Sequence, residues 1–245
     1  MVQPSRLPSI AVSGPLPIHL EPEDAEPDNR RQRASVGGRV PLRWGMGAAT
    51  SASSAVSIED FERLSAEAGL SGRRVELIRG EVRELPLGGY AHGHVTNTLS
   101  AHLTHWVWND GFGVVLAAET GFRLDDPDPP PGGAGPVVRA PDVAWLAEPP
   151  AEAVPGFLTT APDLVVETLS PSDAAGDVQE KILWWLARGV REAWVLDPAN
   201  RTLTRHLADR SARILREEET LRTPELLPGF SLPLGKLFQR ASASP

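Results

Sequence analysis

Three residues carry chemistry that their surroundings do not account for. Glu167 lies inside Leu164-Val165-Val166-Glu167-Thr168-Leu169, an apolar run interrupted by one acid. An ionised carboxylate there must be paired, coordinated or neutralised, because burying it bare is costly. Asp142 follows Pro141 and opens a second apolar run, Val143-Ala144-Trp145-Leu146. Lys181 falls in a stretch whose helical spacing puts Val178, Ile182, Trp185 and Leu186 on one face, with the lysine on its flank. Its stem can lie along the core and carry the ammonium to a sheet edge. Each residue also has a plainer reading. Glu167 could be an acid at a strand mouth bonded to an arginine. Asp142 could be a turn residue capping local amides, and Lys181 a solvated surface lysine. Together, however, they are the parts of phosphodiester hydrolysis. Two carboxylates on adjacent strands can hold Mg2+, a hard ion that takes oxygen ligands. A neighbouring lysine can orient a water whose pKa the metal lowers.

The elements that must position these residues are readable from pattern. Ser57-Ile58-Glu59-Asp60 reads as a helix N-cap with acids in the first turn, and Phe61, Leu64 and Ala68 keep a helical period up to Gly69. Arg74–Ile78 and Glu81–Leu85 alternate around Arg79-Gly80, which predicts a β-hairpin. A second helix is expected over His92–Asn109, followed by a strand over Val114–Thr120 that could extend to Leu124. Asp125–Pro136 is rich in Pro and Gly and reads as a surface loop. Strands are expected at Pro141–Leu146, Leu164–Leu169 and Ala193–Leu196. A helix over Asp177–Arg188 joins the last two. That strand–helix–strand unit implies a partly parallel sheet. Leu203–Leu207 and Arg213–Arg216 read as a final hairpin. The expected fold class is mixed α/β, with α+β character, in one domain over residues 56–240. Residues 1–55 carry seven prolines and no period, and read as a disordered leader. Residues 241–245 read as a disordered tail. The second of the two methionines, Met46, is a candidate start of translation.

Several of these stretches resemble the Uma-type family of putative restriction endonucleases, within the PD-(D/E)XK nuclease superfamily. The stretches are Glu76-Leu77-Ile78-Arg79-Gly80-Glu81, His94, Pro141-Asp142, Glu167 with Thr168-Leu169-Ser170-Pro171-Ser172, Lys181, Gly189-Val190 and Trp194-Val195-Leu196-Asp197-Pro198. The resemblance implies a restriction-endonuclease-like central mixed sheet flanked by helices. It makes Asp142 and Glu167 the two half-motif acids, with the Thr168 carbonyl as a further metal ligand. The superfamily pattern expects Lys two residues after the second acid, where this chain has Leu169. In the Uma-type family a lysine stands on the next helix, and Lys181 occupies that place. The family's Tyr four residues later is Trp185 here, a change expected to affect packing rather than chemistry. Glu76 matches a family position and could be a third acidic ligand, a partner of Lys181 or an exposed hairpin acid. Arg139 could contact a phosphate or pair with an acid. His94 matches a family histidine near the site.

Composition narrows the remaining choices. The 245 residues contain no cysteine, which excludes disulfides, thiolate catalysis and cysteine-bound metals. His94 and His105 share a helix face but sit about 16 Å apart along the axis, too far to bind one zinc. Trp184, Trp185 and Trp194 read as core, whereas one of Trp106 and Trp108 should face solvent or a partner. No apolar run is long enough to span a membrane. No continuous signal-peptide core forms, so the expected compartment is the cytoplasm. The net charge of −8 gives no broad phosphate-binding face. DNA contact must then be local, or helped by a metal. The resulting expectation is a Mg2+- (or Mn2+-) dependent endodeoxyribonuclease with Asp142, Glu167, Lys181 and Glu76 in its site. The acidic charge equally suits a non-catalytic nucleic-acid-binding or accessory module on the same fold, or a nuclease for short or single-stranded substrates. Cutting both strands of DNA would favour a homodimer with C2 symmetry.

Overall fold

The computed structural model describes residues 55–70, 72–109, 111–124 and 135–239. The expected leader (but for Ala55), the tail, Met46 and most of the 125–136 loop lie outside the described residues. Helix α1 (Ile58–Leu70) precedes the hairpin of β1 (Arg74–Ile78) and β2 (Glu81–Leu85), and α2 spans Tyr90–Asn109. Strands β3 (Val114–Ala117), β4 (Phe122–Arg123), β5 (Val138–Arg139), β6 (Val143–Leu146) and β7 (Leu164–Thr168) lead to α3 (Ala175–Leu186). Then come β8 (Glu192–Asp197), β9 (Thr202–Leu207), β10 (Ala212–Arg216), β11 (Thr220–Leu221), β12 (Leu232–Pro233) and the short α4 (Gly235–Phe238).

The expected mixed α/β architecture is present. Six strands form a sheet in the order β10-β9-β8-β7-β6-β3, in which β7 and β8 run parallel and the other neighbours antiparallel. Helix α3 makes the crossover between the parallel pair. A second sheet has the order β2-β1-β5-β4. Ser57 caps α1 as expected, accepting the Asp60 N–H at 3.1 Å. The strand expected over Val114–Thr120 stops at Ala117, because Glu119 adopts φ 78 and the Thr120 N–H turns back to the Ala117 carbonyl.

Strand alternation divides the six-stranded sheet into two apolar faces. Val143, Trp145, Leu164, Val166, Trp194 and Leu196 pack on the side that holds Val95, Leu99, Leu103 and Trp106 of α2. Ala144, Leu146, Val165, Ala193 and Val195 pack on the opposite side, against Ile182, Trp184 and Trp185 of α3. The same parity sends Asp142 and Glu167 to the α3 side and Thr168 to the α2 side. Trp145, Trp185 and Trp194 are fully buried. Each removes about 4–6 kcal/mol worth of apolar area from water. An exposed ion pair such as Arg63–Asp60 contributes well under about 1 kcal/mol. The tryptophans therefore set the rotational phase of α3, and with it the position of Lys181. Trp106 is buried while Trp108 is 80% exposed, the division expected of that pair.

The β1–β2 turn shows how tightly the first hairpin is placed. Arg79 and Gly80 have φ of 53° and 81°, the left-handed pair that a two-residue hairpin turn requires. The Gly80 carbonyl accepts the Val56 N–H at 2.9 Å, and its own N–H donates to the Pro136 carbonyl at 3.1 Å. A Cβ at Gly80 would fall 2.5 Å from the Ala55 Cβ. Gly80→Ala should therefore cost about 1–3 kcal/mol, read as a lower midpoint in urea. An unchanged midpoint would show that the 55–56 segment does not pack on this turn.

Candidate active site

The C-terminal end of β7 collects the acids. The residues before β6 lie alongside it, and the Asp142 N–H donates to the Val166 carbonyl at 3.0 Å. The Asp142 side chain then reaches the end of the neighbouring strand, where its Oδ2 accepts the Thr168 N–H at 2.8 Å. Glu167 stands one residue earlier on β7 and points towards α3. Trp185 and Lys181 of α3 are four residues apart, one helical turn, so both meet this carboxylate. The Lys181 Nζ lies 3.0 Å from Glu167 Oε2, and the Trp185 indole N–H donates to Glu167 Oε1 at 3.1 Å. The expected proximity of Lys181 to an acid is met.

Glu76 enters from the other sheet. It is buried, not the exposed hairpin acid that one reading allowed. Its Oε1 lies 2.9 Å from the Lys181 Nζ and accepts the Ala140 N–H at 3.0 Å. Lys181 also donates to the Ala140 carbonyl at 3.2 Å. An ammonium has three donors, and all three are occupied.

Two residues of this cluster were not assigned to it from sequence. His92 faces Asp142 Oδ2 at 3.2 Å, and Arg74 approaches Asp142 Oδ1 at 3.4 Å. His94, the histidine matched to the family position, instead has its Nε2 2.8 Å from the Gln239 carbonyl and its ring stacked on Tyr90. At the start of α2, a shift of two residues turns a side chain about half way round the axis, onto the opposite face, so of the two only His92 faces the strands. Trp185 packs as expected, and its indole N–H also bonds the Glu167 carboxylate.

Thr168 places only its amide at Asp142. Its hydroxyl accepts from Thr96 on α2 at 2.7 Å. Arg139 is buried and donates through Nη2 to both oxygens of Glu180, at 3.0 and 2.7 Å, with its guanidinium over the Trp184 ring.

Burial pushes the Glu167 carboxyl up to about 7, and the charges of Asp142 and Glu76 push the same way against the attraction of Lys181. Burial alone would lower the Lys181 ammonium, but Glu167 and Glu76 outweigh it and raise its pKa. Asp142 goes the other way. Burial would raise it, yet the bonds from His92 and the Thr168 amide hold it below the ordinary carboxylate range. The bond to Asp142 raises His92 in turn. The arrangement is one ammonium shared by two carboxylates, beside a third that is held ionised.

These groups open onto a pocket of about 310 Å3, lined by seven Asp or Glu side chains and four Arg or Lys. Oxygen donors in acidic excess suit a hard divalent cation. Among the described residues no three His, Asp or Glu side chains form a ligand cluster. A metal here would depend on Asp142 and Glu167 with backbone or water oxygens.

Comparison with known proteins speaks to the family and the fold. A family model described as Uma2, putative restriction endonuclease, matches residues 58–235. The structure is similar to that of a putative nuclease belonging to DUF820 from Anabaena variabilis ATCC 29413. The TM-score is 0.61 at 17% identity, covering 75% of this chain and 97% of that one. At that identity the likeness speaks for the fold. No curated protein matches the chain.

The raised Glu167 makes folding depend on pH. Between its ordinary 4.5 and about 7 the folded protein holds a proton that the unfolded chain has lost, so stability falls as pH rises through that window. His92, raised by its partner, has the same sign, and its contribution is lost as pH rises through its folded pKa. The Asp142 contribution is present above its ordinary 3.8 and is lost as pH falls through its lowered pKa. Glu167→Gln should flatten the loss of stability between pH 5 and 8 by about 3 kcal/mol, measured by urea unfolding without divalent metal. A slope identical to wild type would show that Glu167 titrates normally.

Proposed function

The chain belongs to the Uma2 family of putative restriction endonucleases, and on that premise we propose that it is a metal-dependent endonuclease that hydrolyses DNA phosphodiester bonds. The observation that carries this reading is the buried Lys181 ammonium between Glu76 and Glu167, beside an ionised Asp142. Asp142, Glu167 and the Thr168 carbonyl would hold Mg2+ or Mn2+. Such an ion lowers the pKa of a bound water and stabilises charge on a phosphoryl oxygen.

The protein groups divide the remaining work. Lys181 is held charged, so it is no general base. It is a donor that orients the attacking water and faces the charge that grows on phosphorus oxygens. One of its three bonds must open first, and the bond to Glu167 is the one a neighbouring cation weakens. Glu167, raised by burial in the metal-free protein, would be ionised with a cation beside it, because that charge opposes the burial. Glu76 and the Ala140 carbonyl keep the ammonium in place. His92 and Arg74 orient Asp142, and Trp185 fixes one oxygen of Glu167.

No helix among the described residues is long and apolar enough to cross a membrane, and a DNA substrate implies the cytoplasm. Cleavage of both strands with one site per chain would favour a C2 dimer. The second reading, a non-catalytic nucleic-acid module on this fold, is favoured by one observation: both oxygens of Asp142 and of Glu167 already face protein donors or cations.

The two readings separate in one set of assays. Wild-type protein with Mg2+ or Mn2+ should nick plasmid DNA, and Asp142→Asn and Glu167→Gln should each lose about 100-fold or more in rate. Calorimetry should show those variants losing metal affinity. Lys181→Met should lose comparable activity while keeping metal affinity within a few-fold, because it acts on the water and is no ligand. Absence of both metal binding and cleavage in the wild type would leave the binding module.

A further inference from the structure

The pocket that holds the acids has two unlike rims. One is the loop between β7 and α3 with the start of α3, where Asp173 and Asp177 stand. The other is β2 with the link that follows it, including Arg83, Pro86 and Gly88. Of the four cations that line the pocket, three are engaged. Arg74 meets Asp142 at 3.4 Å, Arg139 donates to both oxygens of Glu180, and Lys181 is shared by Glu76 and Glu167. The fourth, Arg83, has no hydrogen bond or ion pair among the described residues.

The hairpin register puts Arg83 in that position. It lies directly opposite Glu76 in the β1–β2 ladder, so the two side chains share one face of the sheet. That is the face from which Glu76 reaches Lys181 on α3. Strand β2 is the edge of its sheet, so Arg83 stands one strand further out and is exposed, whereas Glu76 is buried. The acid opposite is committed elsewhere, since Glu76 Oε1 meets Lys181 and accepts the Ala140 N–H. The acid that follows, Glu84, alternates to the other face and meets Arg73 at 3.6 Å.

We propose that Arg83 is a substrate-binding residue of this site, holding a backbone phosphate next to the one that is cut. The strand then runs along the β2 rim and away from Asp173 and Asp177. The proposal rests on the nuclease reading and names the first point at which the protein grips its polyanion. A guanidinium matches phosphate oxygens in charge and geometry. Arg74 could take a phosphate only by leaving Asp142, and Arg139 is 3% exposed. Arg83 gives up no intramolecular partner to do so. One such local contact suits a chain of net charge −8 that has no broad basic face.

The test combines plasmid nicking with binding of a labelled DNA oligonucleotide, both in Mg2+ on the full chain. Arg83→Gln should raise KM about tenfold and leave kcat within about threefold, the mark of a binding contact. It should also reduce the salt dependence of oligonucleotide affinity by about one phosphate contact. Arg83→Lys keeps the charge and should keep the wild-type salt slope; a slope as shallow as that of Arg83→Gln would overturn the phosphate contact. Metal affinity by calorimetry should be unchanged in Arg83→Gln, and its loss would place Arg83 in the metal site instead. Arg213→Gln, on the edge of the other sheet, should move neither KM nor the salt slope. An effect equal to that of Arg83→Gln would show a diffuse charge effect and overturn the assignment. Oligonucleotide binding that Arg83→Gln weakens, without nicking by the wild type, would retain this contact and remove the nuclease reading. Nicking whose KM and salt slope are unmoved by Arg83→Gln would retain the nuclease and remove the contact. A wild type that neither binds DNA nor nicks it would overturn both.

Discussion

One buried ammonium joins the parts of this molecule that lie far apart in sequence. Lys181 comes from α3, Glu167 from the six-stranded sheet, Glu76 from the four-stranded sheet, and Ala140 from the link between β5 and β6. Each gives the charge one partner. Removing any acid leaves a largely buried cation undercompensated, and breaking a buried pair typically costs about 3–5 kcal/mol. Replacing such a cluster wholesale with apolar side chains is often neutral or better for stability. Stability alone is therefore a poor reason to place two buried acids around one lysine. The tryptophans of the βαβ unit already hold α3 in place. What the cluster adds is charge, held at a pocket wall where a substrate can meet it.

The balance of that charge explains why the two principal acids diverge. Asp142 sits where an amide, a histidine and an arginine converge, so its ionised form is well solvated by protein. Glu167 has an indole and a shared ammonium, and it also feels the charges of Asp142 and Glu76. Strand parity sends both to the α3 side, so the divergence comes from the partners that each carboxylate meets.

Much of this was legible in the sequence, and the parts that were share a cause. Glu167 stood out because a charge interrupts an apolar strand, and Lys181 because a 3.6-residue period placed it on the flank of a marked apolar face. The hairpin from Arg74 to Leu85 announced itself by alternation and by Arg79-Gly80. What sequence missed depends on long-range contact. Arg74 and His92 reach Asp142 across 68 and 50 positions, and no local pattern marks a residue for that. His94 was the more conspicuous histidine, yet helix phase turns it away. Trp185 looked like core and is core, and its one polar atom also finds the buried carboxylate. Strands of two residues, such as β5, β11 and β12, are too short to show a period.

The arginines complete the electrostatic logic. Arg74 and Arg139 form one wall of the acidic pocket. Arg74 meets Asp142, and Arg139 pairs with Glu180 across the top of α3, so each guanidinium is partly neutralised on the acidic side. A phosphate approaching the acids alone would be repelled. Beside this wall the repulsion is offset within about one Debye length, roughly 8–10 Å at ordinary salt. Net charge therefore says little about where such a chain can hold an anion. Strand alternation puts Arg74, Glu76 and Arg139 on the face of the four-stranded sheet opposite Leu77 and Val138, so both guanidiniums meet the acids.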